Sequence, residues 1–184
     1  LVIAYLLPVE RQTKDQLGVW LARSEDDGET WTKTRIYSDA TPSAPSMVVR
    51  EDGRIHVLIY NGNRAFPQLM TLTDPSKFDD SSAWETTDIG DGQYDEGYNP
   101  SRAVTPDGGL AAAYRRCGRA AGSLGECKRA EDGVVYSHRQ DGSWNQEFVA
   151  GGDDAFCGHV TSLVFADGTP TIAFRCNVRG SDDV

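Results

Sequence analysis

No stretch of this 184-residue chain approaches the roughly 18 consecutive apolar residues of a membrane-spanning helix; the opening run, LVIAYLLPV, is only strand-length. That run also lacks the basic leader and small-residue cleavage site of a signal peptide. The chain does not open on methionine, which points to a processed or truncated product. Basic residues are in deficit: 18 Lys and Arg against 28 Asp and Glu leave a net charge of -10 and no basic stripe for a nucleic-acid backbone. No segment sustains a 3.6-residue apolar period, so almost no helix is expected. Absent too are C-x-x-C pairs and close Cys/His pairs, which argues against zinc.

What is present begins with an ordinary globular composition, 39% hydrophobic and 25% charged, and enough length for one domain with a core. The four cysteines, Cys117, Cys127, Cys157 and Cys176, all fall in the C-terminal half. The pairs Cys117–Cys127 and Cys157–Cys176 each bracket a compact segment, as disulfides in an oxidising compartment would. The second pair flanks CGHVTSLVFADGTPTIAFRC, two apolar runs around an Asp-Gly turn, and a hairpin there brings its ends opposite each other. Free core thiols are the alternative. Disulfides and acidic charge fit a secreted or extracellular protein, with the periplasm as a variant of the same reading.

The strongest signal is internal repetition. APSMVVREDGRIHVLIYNG (44–62), NPSRAVTPDGGLAAAYRRC (99–117) and HVTSLVFADGTPTIAFRC (159–176) each place a serine and an apolar run before an Asp-Gly turn. A second run follows and closes on an aromatic. The turns begin at Asp52, Asp107 and Asp167, offsets of 55 and 60, and Trp31, Trp84 and Trp144 keep step at 53 and 60. Each period reads as four antiparallel strands, A to D, with the Asp-Gly turn between A and B and the tryptophan opening D. Four-stranded units repeated radially are propeller blades; a sandwich of similar hairpins is the alternative. The expected fold is therefore an all-β propeller segment spanning residues 1–184. Its blades would cover about 1–39, 44–90 and 99–150, with a partial blade at 159–176. Three blades and a part make an incomplete ring, since propellers typically need about four to eight. Exposed sheet edges would remain, so completion by missing sequence, another chain or another copy is expected.

The octet SEDDGETW then acquires a meaning. Ser24, Asp26, Gly28, Thr30 and Trp31 resemble the Asp-box of sialidase-type β-propellers, and lie between strands C and D as in that family. The resemblance implies a folding role away from the ligand. A short Asp side chain bonds turn N–H groups, Gly supplies a positive φ, and Trp packs between adjacent sheets. SHRQDGSW keeps Ser137, Asp141, Gly142 and Trp144 in a shorter form, and TDPSKFDDSSAW keeps little beyond Trp84.

If the Asp-Gly turns and the boxes share one end of the blades, the other end carries the long polar loops, where sites usually lie. That end offers Arg11, Arg64, Arg115, Arg116, Arg119, Asp95, Glu96, Tyr94, Tyr98, Asp153, Asp154, His159 and Arg175. YDEGY enters one strand A and AYRR leaves the following strand B, so Glu96 and Arg115 are expected to meet. Similarity to sialidases implies Glu96 as a base activating a tyrosine, with Arg115 or Arg116 clamping a substrate carboxylate. Tyr98 is the nearest tyrosine, although that family draws its nucleophile from a distant blade. Arg64 and Arg175 complete the candidate ligand-binding set. The family's Phe/Tyr-Arg-Ile-Pro motif is absent, and no full arginine triad can be placed. GGDDAF and the terminal GSDDV lack the spacing of a known calcium loop; no metal or cofactor is expected, with calcium the one ion left open. Two functions follow. One is a carbohydrate-binding protein or exo-glycosidase acting on terminal sugars; the other is a non-catalytic scaffold that meets protein partners.

Overall fold

The structure, a computed structural model, describes residues 1–7, 17–38, 45–90 and 92–178. Among these the chain is all-β, with only single 3-10 turns at Pro75–Lys77, Ser81–Ala83 and Arg129–Glu131. Thirteen strands form four antiparallel sheets in chain order. Sheet 1 holds β1 (Val2–Leu7), β2 (Gly18–Arg23) and β3 (Thr32–Tyr37). Sheet 2 holds β4 (Ser46–Val49), β5 (Ile55–Asn61), β6 (Phe66–Leu72) and β7 (Trp84–Asp88). Sheet 3 holds β8 (Tyr94–Val104), β9 (Leu110–Ala120), β10 (Gly133–Gln140) and β11 (Ser143–Gly151). Sheet 4 is the hairpin of β12 (Ala155–Ala166) and β13 (Thr169–Val178).

Alternation along each strand explains how the sheets stack, because successive side chains point to opposite faces. Every residue of β5 is buried. Ile55, Val57 and Ile59 meet Val19, Leu21 and Ile36 of sheet 1, while Leu58 faces Leu110, Ala112 and Tyr114 of sheet 3. On β9 the roles repeat with smaller side chains: Ala111 and Ala113 receive Leu163 of sheet 4. Three apolar cores thus lie between four successive sheets. β13 closes the series and is exposed over nearly its whole length.

The Asp-Gly turns that look alike in sequence fold in two ways. At Asp52-Gly53 and Asp107-Gly108 only the glycine has positive φ, 81° in both cases. The Gly53 N–H donates to Arg50 O at 2.9 Å, and Gly108 to Thr105 O at 2.8 Å. At Asp167-Gly168 and Asp141-Gly142 both residues are left-handed, giving tight two-residue hairpins whose twist matches the strands. Both disulfides form, Cys117–Cys127 and Cys157–Cys176, and the second joins directly opposed residues of β12 and β13.

The SEDDGETW turn is held by its own side chains. Asp26 Oδ1 accepts from Ser24 Oγ at 2.8 Å and Thr30 N–H at 2.9 Å, and Asp26 Oδ2 accepts from Thr30 Oγ1 at 2.5 Å. Ser24 Oγ accepts from Gly28 N–H at 2.7 Å, where φ is 99°. Trp31 departs from expectation. It is half-buried, with its indole N–H donating to Gly28 O at 3.0 Å, and the tryptophans that reach the intersheet cores are Trp84 and Trp144. In the chain's most altered version of this turn, Asp74 and Asp80 instead cap two short turns, accepting from Ser76 N–H and Ser82 N–H at 3.0 and 2.9 Å.

Donors from Thr30 and Ser24 hold the Asp26 carboxyl at about 2, below its ordinary 3.8. A depressed folded pKa stabilises above the unfolded value and is lost as pH falls through the folded one. Asp26→Ala should therefore melt below the wild type at pH 6, with the gap closing between pH 4 and pH 2. A gap that stays constant over that range in thermal melts would contradict the assigned bonds.

Candidate functional site

One end of sheets 2 and 3 gathers Asp95, Glu96, Arg115, Arg116 and Arg119 from the expected set, and the cause is an irregular strand. β8 shifts register against β9 between Tyr94 and Glu96, between Glu96 and Tyr98, and between Tyr98 and Ser101. Gly97 has φ 105° and Asn99 φ 48°. Such bulges re-aim side chains that would otherwise alternate. The consecutive Asp95 and Glu96 are consequently both buried, at 1% and 0% exposure.

They serve separate networks. Asp95 accepts from Tyr60 Oη through Oδ1 at 2.8 Å and from Tyr98 Oη through Oδ2 at 2.8 Å. The two rings stack with centroids 4.2 Å apart. Arg119 completes this group, its Nε donating to Asp95 Oδ2 at 2.6 Å. Its Nη1 donates to Gly125 O at 2.7 Å. Gly125 belongs to the segment closed by Cys117–Cys127, so that disulfide helps to hold the carbonyl that Arg119 needs. Glu96 accepts from Arg116 Nε at 2.9 Å and Gln146 Nε2 at 2.6 Å. Gln146 Oε1 accepts from Arg116 Nη2 at 2.8 Å, and its amide also donates to Tyr114 Oη at 2.9 Å. Arg116 lies over the Tyr94 ring at 4.3 Å. Arg115 makes a third pair, donating to Asp132 through Nε at 3.0 Å and Nη2 at 3.2 Å. It also lies over the Phe156 ring at 4.1 Å.

Two expectations need correction. Glu96 meets Arg116, not Arg115: the bulges in β8 shift the pairing, and Arg115 turns to Asp132 on the connection before β10. The carboxylate beside Tyr98 is Asp95, one residue earlier than the expected Glu96. As clamps, Arg115 and Arg116 are already engaged by protein carboxylates. Arg64 stands apart, exposed, paired with Asp88 at 3.3 Å and lying over Phe66. Arg175 lies on exposed β13, Asp153, Asp154 and His159 are exposed, and Arg11 falls outside the described residues.

Sequence reading passed over Tyr60, Tyr114, Asp132 and Gln146. In the sequence Tyr60 and Tyr114 stand only as the aromatics that close two apolar runs. The glycine inside YDEGY was the available warning, since glycine within a strand marks a bulge or close backbone approach.

Electrostatics follow from burial. Burial raises the Tyr98 phenol above its ordinary value, the bond donated by Tyr60 opposes this and acceptance by Asp95 adds to it; Tyr60 is raised by burial and by its bonds to Tyr98 and Asp95 together. Both phenols are neutral at pH 7. Tyr98 is half-buried and the Arg119 side chain 27% exposed, so solvent reaches this group, and a separate open cleft lined by Tyr94, Arg116 and Gln146 borders the Glu96 network. Among the described residues, no three His, Cys, Asp or Glu side chains converge as metal ligands.

No protein-family model matches the chain, and no curated protein matches it. The fold does recur. A protein of unknown function from Dyadobacter fermentans DSM 18053, known from its crystal structure, superposes with a TM-score of 0.59 at 12% identity. The match covers 88% of this chain and 52% of that one, so this chain spans about half the length of its solved counterpart. At that identity the likeness concerns the fold alone.

Proposed function

We propose that the chain is part of a secreted, sialidase-like Asp-box β-propeller that binds a polar glycan at the Tyr98–Arg119 end without hydrolysing it. Supporting the propeller reading are the self-bonded SEDDGETW turn, the serial stacking of antiparallel sheets, and the matching fold in a chain about twice as long. Further polypeptide, from the same gene or another copy, would then cover β13.

The observation that carries the binding reading is the group built on Asp95. A buried carboxylate orients two phenols and a guanidinium, of which Tyr98 and Arg119 are reached by solvent while Tyr60 is buried, with Phe156 and Arg115 alongside. Sugars are recognised by preorganised polar groups that bond hydroxyls and by aromatic faces that cover C–H surfaces. Hydrolysis by a tyrosine nucleophile would need the phenol to lose its proton readily. Here Asp95 already accepts from two phenols and Arg119, and Tyr98 is shifted away from ionisation. One observation favours the scaffold reading: all three arginines are paired within the protein, as in a purely structural network.

The test is binding of the full-length protein to a glycan array, followed by calorimetry and a fluorogenic sialoside assay. Retention of particular glycans without turnover is expected, and Tyr98→Phe and Arg119→Ala should each weaken affinity about tenfold with unchanged circular dichroism. Failure to retain any glycan leaves the scaffold reading; turnover abolished by Tyr98→Phe makes the protein an enzyme.

A further inference from the structure

At the opposite end of the interface between sheets 2 and 3 lies a buried cation that the glycan reading does not use. Arg102, on β8, is 8% exposed, and its Nε and Nη1 have no hydrogen-bond partner among the described residues. The one bond it makes is long, from Nη2 to Val48 O at 3.4 Å. Val48 is the cross-strand partner of His56 on β5. His56 is 5% exposed, and its Nε2 is also unpartnered among the described residues. Its Nδ1 lies 3.0 Å from Thr71 Oγ1; when that hydroxyl donates to Nδ1, Nε2 carries the ring proton and becomes a third free donor.

The two side chains sense each other. Burial, followed by the charges of Arg102, Arg50 and Arg54, pushes His56 down to about 4, and Asp52 opposes them only weakly. Burial alone accounts for the shift of Arg102, down to about 9, and no carboxylate offsets it. The pairs Arg115–Asp132 and Arg116–Glu96 at the other end show how this chain treats a buried guanidinium when it supplies the counter-charge itself. Removing a buried charge from water without a partner costs several kcal/mol, and buried polar groups are normally bonded.

We propose that Arg102 and His56 bind a small, weakly hydrated inorganic monoanion, chloride being the representative, between sheets 2 and 3. The donors set the sign of the ligand. Its class follows from the surroundings, which are apolar: Leu58 is buried in this interface, and Val48 and Val104 pack against it. A strongly hydrated dianion such as sulfate or phosphate would lose too much hydration there. An open cleft of about 510 Å³ lies alongside, lined by Arg50, Glu51, Asp52, Val104 and Thr105 though by neither Arg102 nor His56. Val104 lies two residues beyond Arg102 in the regular part of β8, hence on the same face. The anion would tie β5 to β8 and act as a structural ligand, independent of glycan binding.

The experiment is thermal unfolding of the full chain in sodium fluoride, chloride and bromide at constant ionic strength. Chloride and bromide should raise Tm logarithmically with concentration above Kd, by about 3–6 °C at tenfold excess over Kd, relative to fluoride. General salt effects on apolar burial favour the more strongly hydrated fluoride, so they cannot produce that order. Arg102→Met should lose the rise in chloride and bromide and keep only the general salt order, with fluoride the highest. Coincident curves for the wild type, or an undiminished halide response in Arg102→Met, would overturn the site. Should Arg102→Met not fold, the wild-type series still decides, and bromide anomalous scattering must then place a peak between Arg102 and His56.

Discussion

Glu96→Ala lowers the unfolding free energy by about 3–5 kcal/mol, the usual cost of removing one partner from a buried ion pair. The carboxylate is fully enclosed, and Arg116, with 10% side-chain exposure, would keep its charge with only the Gln146 amide oxygen as acceptor. Gln146 would also lose the acceptor of its 2.6 Å bond and retain only Tyr114. Because a Cβ on the neighbouring Gly90 would lie only 2.8 Å from Glu96 Oε1, the residue is packed as well as bonded. Glu96→Gln should cost less, since it keeps the shape and one acceptor. Urea unfolding measures both, and restoration of stability by pairing Glu96→Ala with Arg116→Met would identify the stranded charge as the cause. A loss below 1 kcal/mol for Glu96→Ala would mean that solvent reaches the pair.

Gly97→Ala is the second large effect. A Cβ there would lie 2.8 Å from the Pro67 nitrogen and 3.0 Å from its Cα, and φ is 105°, a region L-residues rarely adopt. Backbone strain and steric overlap together should cost about 2–4 kcal/mol. Gly122→Ala is the contrasting case: its φ is also positive, at 73°, but nothing lies within 4 Å, so only about 1 kcal/mol is expected. The difference between the two variants in urea unfolding isolates the steric part. Since Gly97 separates Glu96 from Tyr98, Gly97→Ala should also alter the near-ultraviolet dichroism of the stacked Tyr60–Tyr98 pair. An unchanged tyrosine signal with a full stability loss would place the bulge's importance in packing alone.

Local chemistry made part of this protein readable from its residues. Asp-Gly turns between apolar runs and the spacing within each cysteine pair are short-range signals, and the hairpins and both disulfides appear where these put them. The carboxylates of YDEGY and the arginines of AYRR also come together at one end of sheets 2 and 3. Partner choice was not readable. Each bulge in β8 changes which residue faces β9, and whether a glycine bulges depends on what lies beneath it, here Pro67 of the neighbouring sheet. Residues 30 or more apart then decide the bonding: Gln146 reaches Glu96, and Tyr60 reaches Asp95.

Sequence alone determined the all-β class and the positions of the Asp-Gly turns, and it favoured the two covalent links, because each depends on neighbours along the chain or across one hairpin. Tertiary structure alone decided that Asp95 rather than Glu96 serves the tyrosines, that Arg116 rather than Arg115 neutralises Glu96, and that Arg102 is buried without a carboxylate. The physical reason is that a charge is satisfied by whatever packs against it, and packing between sheets joins residues whose separation in sequence carries no pattern.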